Sequence, residues 1–236
     1  MDCIKSIISY YIILTMVEWY IHRYLMHKHT NCIIHFINYP IKYLYKKVHG
    51  YDQTVDHVEH HTRVENDGSV YHEDNGILFH IYGVPFIALI TFILYCIISY
   101  IIGNKHTRSE YMCNCLLCIF ISFMYYYLWN ILHPSYHNYM DNKEKYINPW
   151  VEKNPIYKFL LKYHLLHHLN KGDKKCNFNI IIPGADYLFG TYKGCVDNTH
   201  LLSDYLQSGD SLSEKELDLY KGQINNKDLP FDLQYC

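Results

Sequence analysis

The sequence predicts an all-α integral membrane protein, a transmembrane helical hairpin with a helical cap on its cytosolic side carrying a dinuclear histidine metal site. Long apolar segments alternate with histidine motifs along the chain. Half of the 236 residues are apolar, and histidine is abundant at 17. The formal charge of −2 leaves no basic face of the kind a nucleic-acid partner requires.

The first helix is expected over about 4–27. Its apolar part, Ile4 to Ile21, would rise ~27 Å, marginal for crossing a hydrocarbon core of ~30 Å. No small-residue cleavage site follows, and Glu18, His22, Arg23 and His27 close the segment, so it reads as a retained helix rather than a signal peptide. Between Lys28 and Gly76, isoleucines alternate with Asn, Lys and Tyr, the pattern of short amphipathic helices at a membrane surface, with Pro40 interrupting any single helix.

Helices at about 77–102 and 111–133 follow, joined by the polar loop Gly103 to Glu110, each long enough to span a bilayer. Pro134 disfavours helical geometry at His133, which predicts a kink or a helix end there. An amphipathic helix is expected over 155–168, with Pro155 at its first position. The membrane-embedded domain is thus placed at 1–198, and a polar tail with some helix near Ser213 to Tyr220 at 199–236.

Four motifs carry the chemistry: His22 and His27; His57, His60 and His61; His133 and His137; and His164, His167 and His168. Residues three and four apart share a helix face, so most of these spacings gather imidazoles. A hairpin returns the chain to its starting side, which places all four motifs on one face. The odd count of nine cysteines argues against a disulfide framework and for a reducing, cytosolic face. Cys113, Cys115 and Cys118 lie inside an apolar run and read as small buried residues.

An unsatisfied buried polar group costs roughly 1–3 kcal/mol, so ten packed imidazoles without ligands would rival the whole stability of a domain, about 5–15 kcal/mol. The ten residues therefore read as ligands, and for more than one ion, because zinc takes three or four protein ligands. Imidazole suits iron, zinc, copper and nickel alike. Glu18 lies four residues before His22 and is expected to accept the second ring N–H of that ligand. A water-bound Glu18, or one paired with Arg23 or Lys28, is the alternative.

The runs EWYIHRYLMH (Glu18 to His27), HVEHH (His57 to His61), HPSYH (His133 to His137) and HLLHH (His164 to His168), with the ending FNIIIPGADYLFGT (Phe178 to Thr191), resemble the fatty acid hydroxylase and sterol desaturase superfamily. The resemblance implies a non-haem di-iron oxidoreductase of lipid biosynthesis. Its two iron ions, with zinc possible in isolated protein, would be held by the ten histidines. It implies oxygen-dependent hydroxylation of an acyl chain or sphingolipid, with a sterol desaturase or carotenoid hydroxylase as the alternative. A non-catalytic membrane metal-binding protein is the reading from another class. In a eukaryote the resemblance points to the endoplasmic reticulum, with the metal site on its cytosolic face. The chain before the first helix has no room for a fused cytochrome b5, so a separate donor such as cytochrome b5 and its reductase would supply electrons. The gaps from His27 to His57 and from His137 to His164 are longer than in typical members. No separate acid or base residue is proposed.

Overall fold

The computed structural model describes residues 3–27, 32–49, 79, 81–140, 149–170 and 175–195. Among these, every regular element is helical: α1 (Cys3–Tyr20), a π-helical turn (Ile21–Met26), α2 (Cys32–His49), α3 (Gly83–Ile101), α4 (Arg108–Met140), a short α5 (Pro149–Glu152), α6 (Pro155–Leu169) and a short α7 (Ala185–Leu188). The tail at 199–236 lies outside the described residues.

Helices α3 and α4 form the expected hairpin, and both are long and apolar enough to cross a membrane. Only 33 % and 22 % of their apolar windows are buried, which counts against the core of a soluble bundle. Gly103, with φ 75°, ends α3 in the left-handed region that glycine adopts without strain. The start of α4 is earlier than expected because Thr107 and Glu110 form a capping box. Thr107 N–H donates to the Glu110 carboxylate (2.8 Å), and Glu110 N–H donates to Thr107 Oγ1 (3.3 Å).

The hairpin is pinned to α1 by Tyr10, which stacks on Tyr95 of α3 at 4.7 Å and donates its hydroxyl to the Asn114 carbonyl of α4 at 2.9 Å. Asn130 of α4 holds both backbone groups of Phe79, accepting from its N–H (2.8 Å) and donating to its C=O (3.0 Å).

Two expectations of helix ends at proline are corrected. Of the kink or helix end expected at His133, the helix end is overturned: Pro134 lies inside α4, which continues to Met140. The last turns pack on α6: Tyr136 lies 5.5 Å from Tyr157, and the Ser135 and Tyr157 hydroxyls hydrogen-bond at 3.1 Å. Tertiary contact outweighs the ~3 kcal/mol that an internal proline costs a helix. Pro40 likewise lies inside a single helix, α2. Pro40 has no N–H to donate to the carbonyl of Phe36 one turn back, and Phe36 is itself exposed.

Helix α6 has the expected bounds. Asn154 caps it by accepting from Ile156 N–H at 2.9 Å, and Pro155 occupies the first turn. Its first turns are amphipathic, with Ile156 and Phe159 exposed and Tyr157 and Leu160 buried, whereas every residue from Tyr163 to Leu169 is buried. Leu161, Leu165 and Leu166 join Leu14, Trp129 and Ile180 in the main core. Cys195 is disulfide-bonded, which counts against the expected reducing, cytosolic face, whereas Cys96, Cys113, Cys115, Cys118 and Cys176 are free.

Candidate metal centre

Helix α6 divides its three histidines between two groups. His164 and His168, four apart on one face, meet His133 and His137, four apart on α4. His167, turned away from that face, meets His22 and His27 at the end of α1. Within each group the candidate ligand atoms lie within 4.8 Å of one another. None of the seven residues is more than 2 % exposed. The groups adjoin: the His167 ring centroid lies 5.5 Å from that of His168 and 6.4 Å from that of His164.

These seven residues fit a metal. His164 Nε2 lies 2.9 Å from His137 Nε2, and His27 Nε2 lies 3.2 Å from His167 Nε2. Neighbouring nitrogens on an ion with bonds of ~2.1 Å stand ~3.0 Å apart at a right angle and ~3.4 Å apart at a tetrahedral angle. Each close pair can instead share one proton, which a cation would displace. Burial, with His22 beside it and Lys175 and His133 nearby, holds the His167 ring well below the usual histidine range. The neutral form, the one that ligates, is thereby favoured.

The spacing of His22 and His27 is met by the π-helical turn. In an α-helix each residue advances about 100°, so positions five apart diverge by about 140°. A π-helix closes i→i+5 and stacks those positions. The turn spans Ile21–Met26, and His27 follows in extended conformation with its ring stacked on His22 at 5.0 Å. The α-helix expected through 27 thus ends at Tyr20. Asn38 of α2 steadies the turn by donating to the Tyr24 carbonyl (2.9 Å) and accepting from Tyr20 (3.0 Å).

The segment Lys175 to Ile182 lies across the His22–His27–His167 group. His22 Nδ1–H donates to the Phe178 carbonyl (2.7 Å) and His167 Nδ1–H to the Cys176 carbonyl (2.6 Å). Both bonds fix the tautomer that leaves Nε2 as the ligating atom. Lys175 Nζ lies 3.0 Å from His27 Nδ1, and burial lowers the Lys175 pKa from its ordinary value.

Glu18 is held by this same segment and by the side chain of Tyr125 on α4, and burial pushes its pKa up to about 8. Its carboxylate accepts from the backbone N–H of Ile180 (2.9 Å), Ile181 (2.9 Å) and Ile182 (3.1 Å), with Asn179 Nδ2 at 3.4 Å. The Nδ1 of His22 is engaged by the Phe178 carbonyl, so the expected pairing of that ring N–H with Glu18 gives way to a backbone acceptor. A carboxylate can satisfy a run of three amides where one imidazole could use only one of its lone pairs.

Seven of the ten expected ligands therefore converge, while His57, His60 and His61 lie outside the described residues. Among the described residues, Cys113, Cys115 and Cys118 join no metal-capable group. The sequence reading missed the Cys176 and Phe178 carbonyls and Lys175. Only the FNIIIPG run, a polar residue amid isoleucines, marked that segment as unusual. No protein-family model, curated protein or solved structure matches the chain.

Proposed function

We propose that the chain is a membrane-bound, oxygen-dependent di-iron hydroxylase acting on the acyl chain of a fatty acid or sphingolipid. The observation that carries this reading is the pair of adjoining, fully buried imidazole groups built on α1, α4 and α6 beside an apolar hairpin. Metal bound there supplies oxygen activation and cleavage of an unactivated C–H bond. The protein holds neutral imidazoles in fixed tautomers, excludes water and presents the substrate. The four histidine motifs add the resemblance to the fatty acid hydroxylase superfamily.

An apolar cavity of about 300 Å³ fits the substrate class. Its walls include Trp19, Ile21, Leu25, Phe86 and Phe189, and Ile21 and Leu25 flank His22 in the π-helical turn. A hydrocarbon chain entering between α1 and α3 would approach the turn that carries a ligand. The hairpin anchors the protein in the bilayer, and α2, with Phe36, Tyr39 and Tyr43 exposed, lies at the membrane surface. The metal groups then face the cytosol, where a separate electron donor reaches them.

The test is lipid profiling, under oxygen, of cells that express the wild-type chain or His164→Ala. Hydroxylated acyl chains present only with wild type support the proposal. Altered sterols or carotenoids would move the substrate to the alternative branch. An unchanged lipid profile from protein that holds metal would replace the enzyme reading with metal binding alone.

A further inference from the structure

We infer that Glu18 is a positioning residue for one half of the metal centre only. It would act through the backbone of residues 178–182 on His22, leaving the His133–His137–His164–His168 group independent of it. The inference rests on the dinuclear reading and adds an asymmetry to it.

The segment has no regular secondary structure, so its carbonyls keep their places only if the chain is held at both ends. At one end, Asn177 has φ 55°, in the left-handed region that asparagine tolerates. Its side chain pairs with Lys193, accepting from N–H and donating to C=O, both at 2.9 Å. At the other end stands Glu18. Three consecutive N–H groups converge on its two carboxyl oxygens. Asn179 Nδ2 also donates to the Thr15 carbonyl (2.7 Å), and Thr15 Oγ1 donates to the Ile182 carbonyl (2.8 Å). Gly184 permits this approach to α1, since a Cβ there would lie 3.1 Å from Thr15 Oγ1.

Between these two anchors lies Phe178, and just before Asn177 lies Cys176; their carbonyls fix the rings of His22 and His167. Gln at position 18 keeps the size but replaces one acceptor oxygen by an NH₂ donor, which opposes the converging amides. The stretch between the anchors then shifts, and His22 loses its orienting Phe178 carbonyl, while Cys176, beyond the Asn177 anchor, stays in place. The other group takes its ligands from α4 and α6, with none from α1 or this segment. Loss of an outer partner of this kind typically weakens metal retention by roughly 10–100 fold.

The experiment compares full-length wild type, Glu18→Gln and Tyr10→Phe in detergent micelles, loaded with Co²⁺ and titrated with a chelator. Ions per chain are counted and the cobalt absorption bands recorded. Wild type is expected to hold two ions. Glu18→Gln is expected to lose one at a chelator concentration 10–100 fold lower, with half of the band pattern preserved. Tyr10→Phe removes a buried hydroxyl distant from both groups and is expected to keep both ions at wild-type chelator resistance. If Glu18→Gln fails to fold, Asn179→Ala, which removes the Nδ2 bonds to the Thr15 carbonyl and Glu18 but leaves the three backbone bonds, is expected to give a weaker loss of the same ion. Two ions at wild-type resistance in Glu18→Gln, or parallel loss of both, would overturn the inference. Fewer than two ions in folded wild type would instead overturn the dinuclear reading beneath it.

Discussion

Replacing His164 by Ala should remove one metal site and leave its neighbour. The His164 ring is fully buried, with centroids 4.6 Å from His133, 4.7 Å from His137 and 4.4 Å from His168. It packs against every other member of its group, as His137 does at slightly longer distances, and the ring of His167, in the other group, stands farther off at 6.4 Å. A ligand that binds only the folded state adds RT ln(1 + [L]/Kd), or ~2.7 kcal/mol at a free concentration 100 times Kd. Two independent sites of that strength add ~5.4 kcal/mol, and the variant should show only the ~2.7 kcal/mol of the surviving site. The assay is denaturant unfolding in micelles with and without added metal, with elemental analysis of each sample. The metal-free curves separate the cost of the vacated space from the loss of binding. His106→Ala is the control: its ring lies 5.8 Å from Tyr95 and 5.1 Å from Tyr111 in the connection between α3 and α4, and it should retain the full metal increment. An undiminished increment in His164→Ala, or an equal loss in His106→Ala, would refute the reasoning.

Metal loading of the apo-protein at pH 8 should release few protons, because neutral buried imidazoles such as His167 need lose none to ligate; a pH-stat recording about one proton per ligand would contradict this. Asp186→Ala should destabilise the protein by about 3 kcal/mol or more, since the carboxylate accepts from Tyr163 (2.7 Å), Asn179 N–H (2.7 Å) and the Thr191 hydroxyl. Equilibrium unfolding of the variant in micelles measures that loss. Metal-free protein should lose stability as pH falls below about 6.5, the ordinary histidine value. The folded His167 pKa is depressed, so the unfolded chain binds more protons there, and the stabilisation is complete only above that pH. Denaturant midpoints measured from pH 8 to pH 5 should fall on the acid side, and a flat profile would show that His167 charges as readily folded as unfolded.

The sequence by itself determined the elements whose causes are local. The length of the apolar runs set the hairpin, Asn154 and Pro155 set the start of α6, and three- and four-residue spacing identified the imidazoles that lie together on α4 and α6. Tertiary structure decided the rest. A one-dimensional spacing does not say which motif faces which, so the division into groups of four and three emerged only when α6 was packed between α1 and α4. His22 and His27 are expected within one continuous helix, whereas the structure meets their five-residue spacing with a π-helical turn that depends on partners such as Asn38 from another helix. Pro134 breaks a helix in isolation and stays within α4 here because Tyr136 and Ser135 are held against Tyr157. The acceptors that orient His22 and His167 are main-chain carbonyls, and every residue has one. No side-chain pattern distinguishes Cys176 or Phe178 for that role until the fold brings their backbone beside the rings.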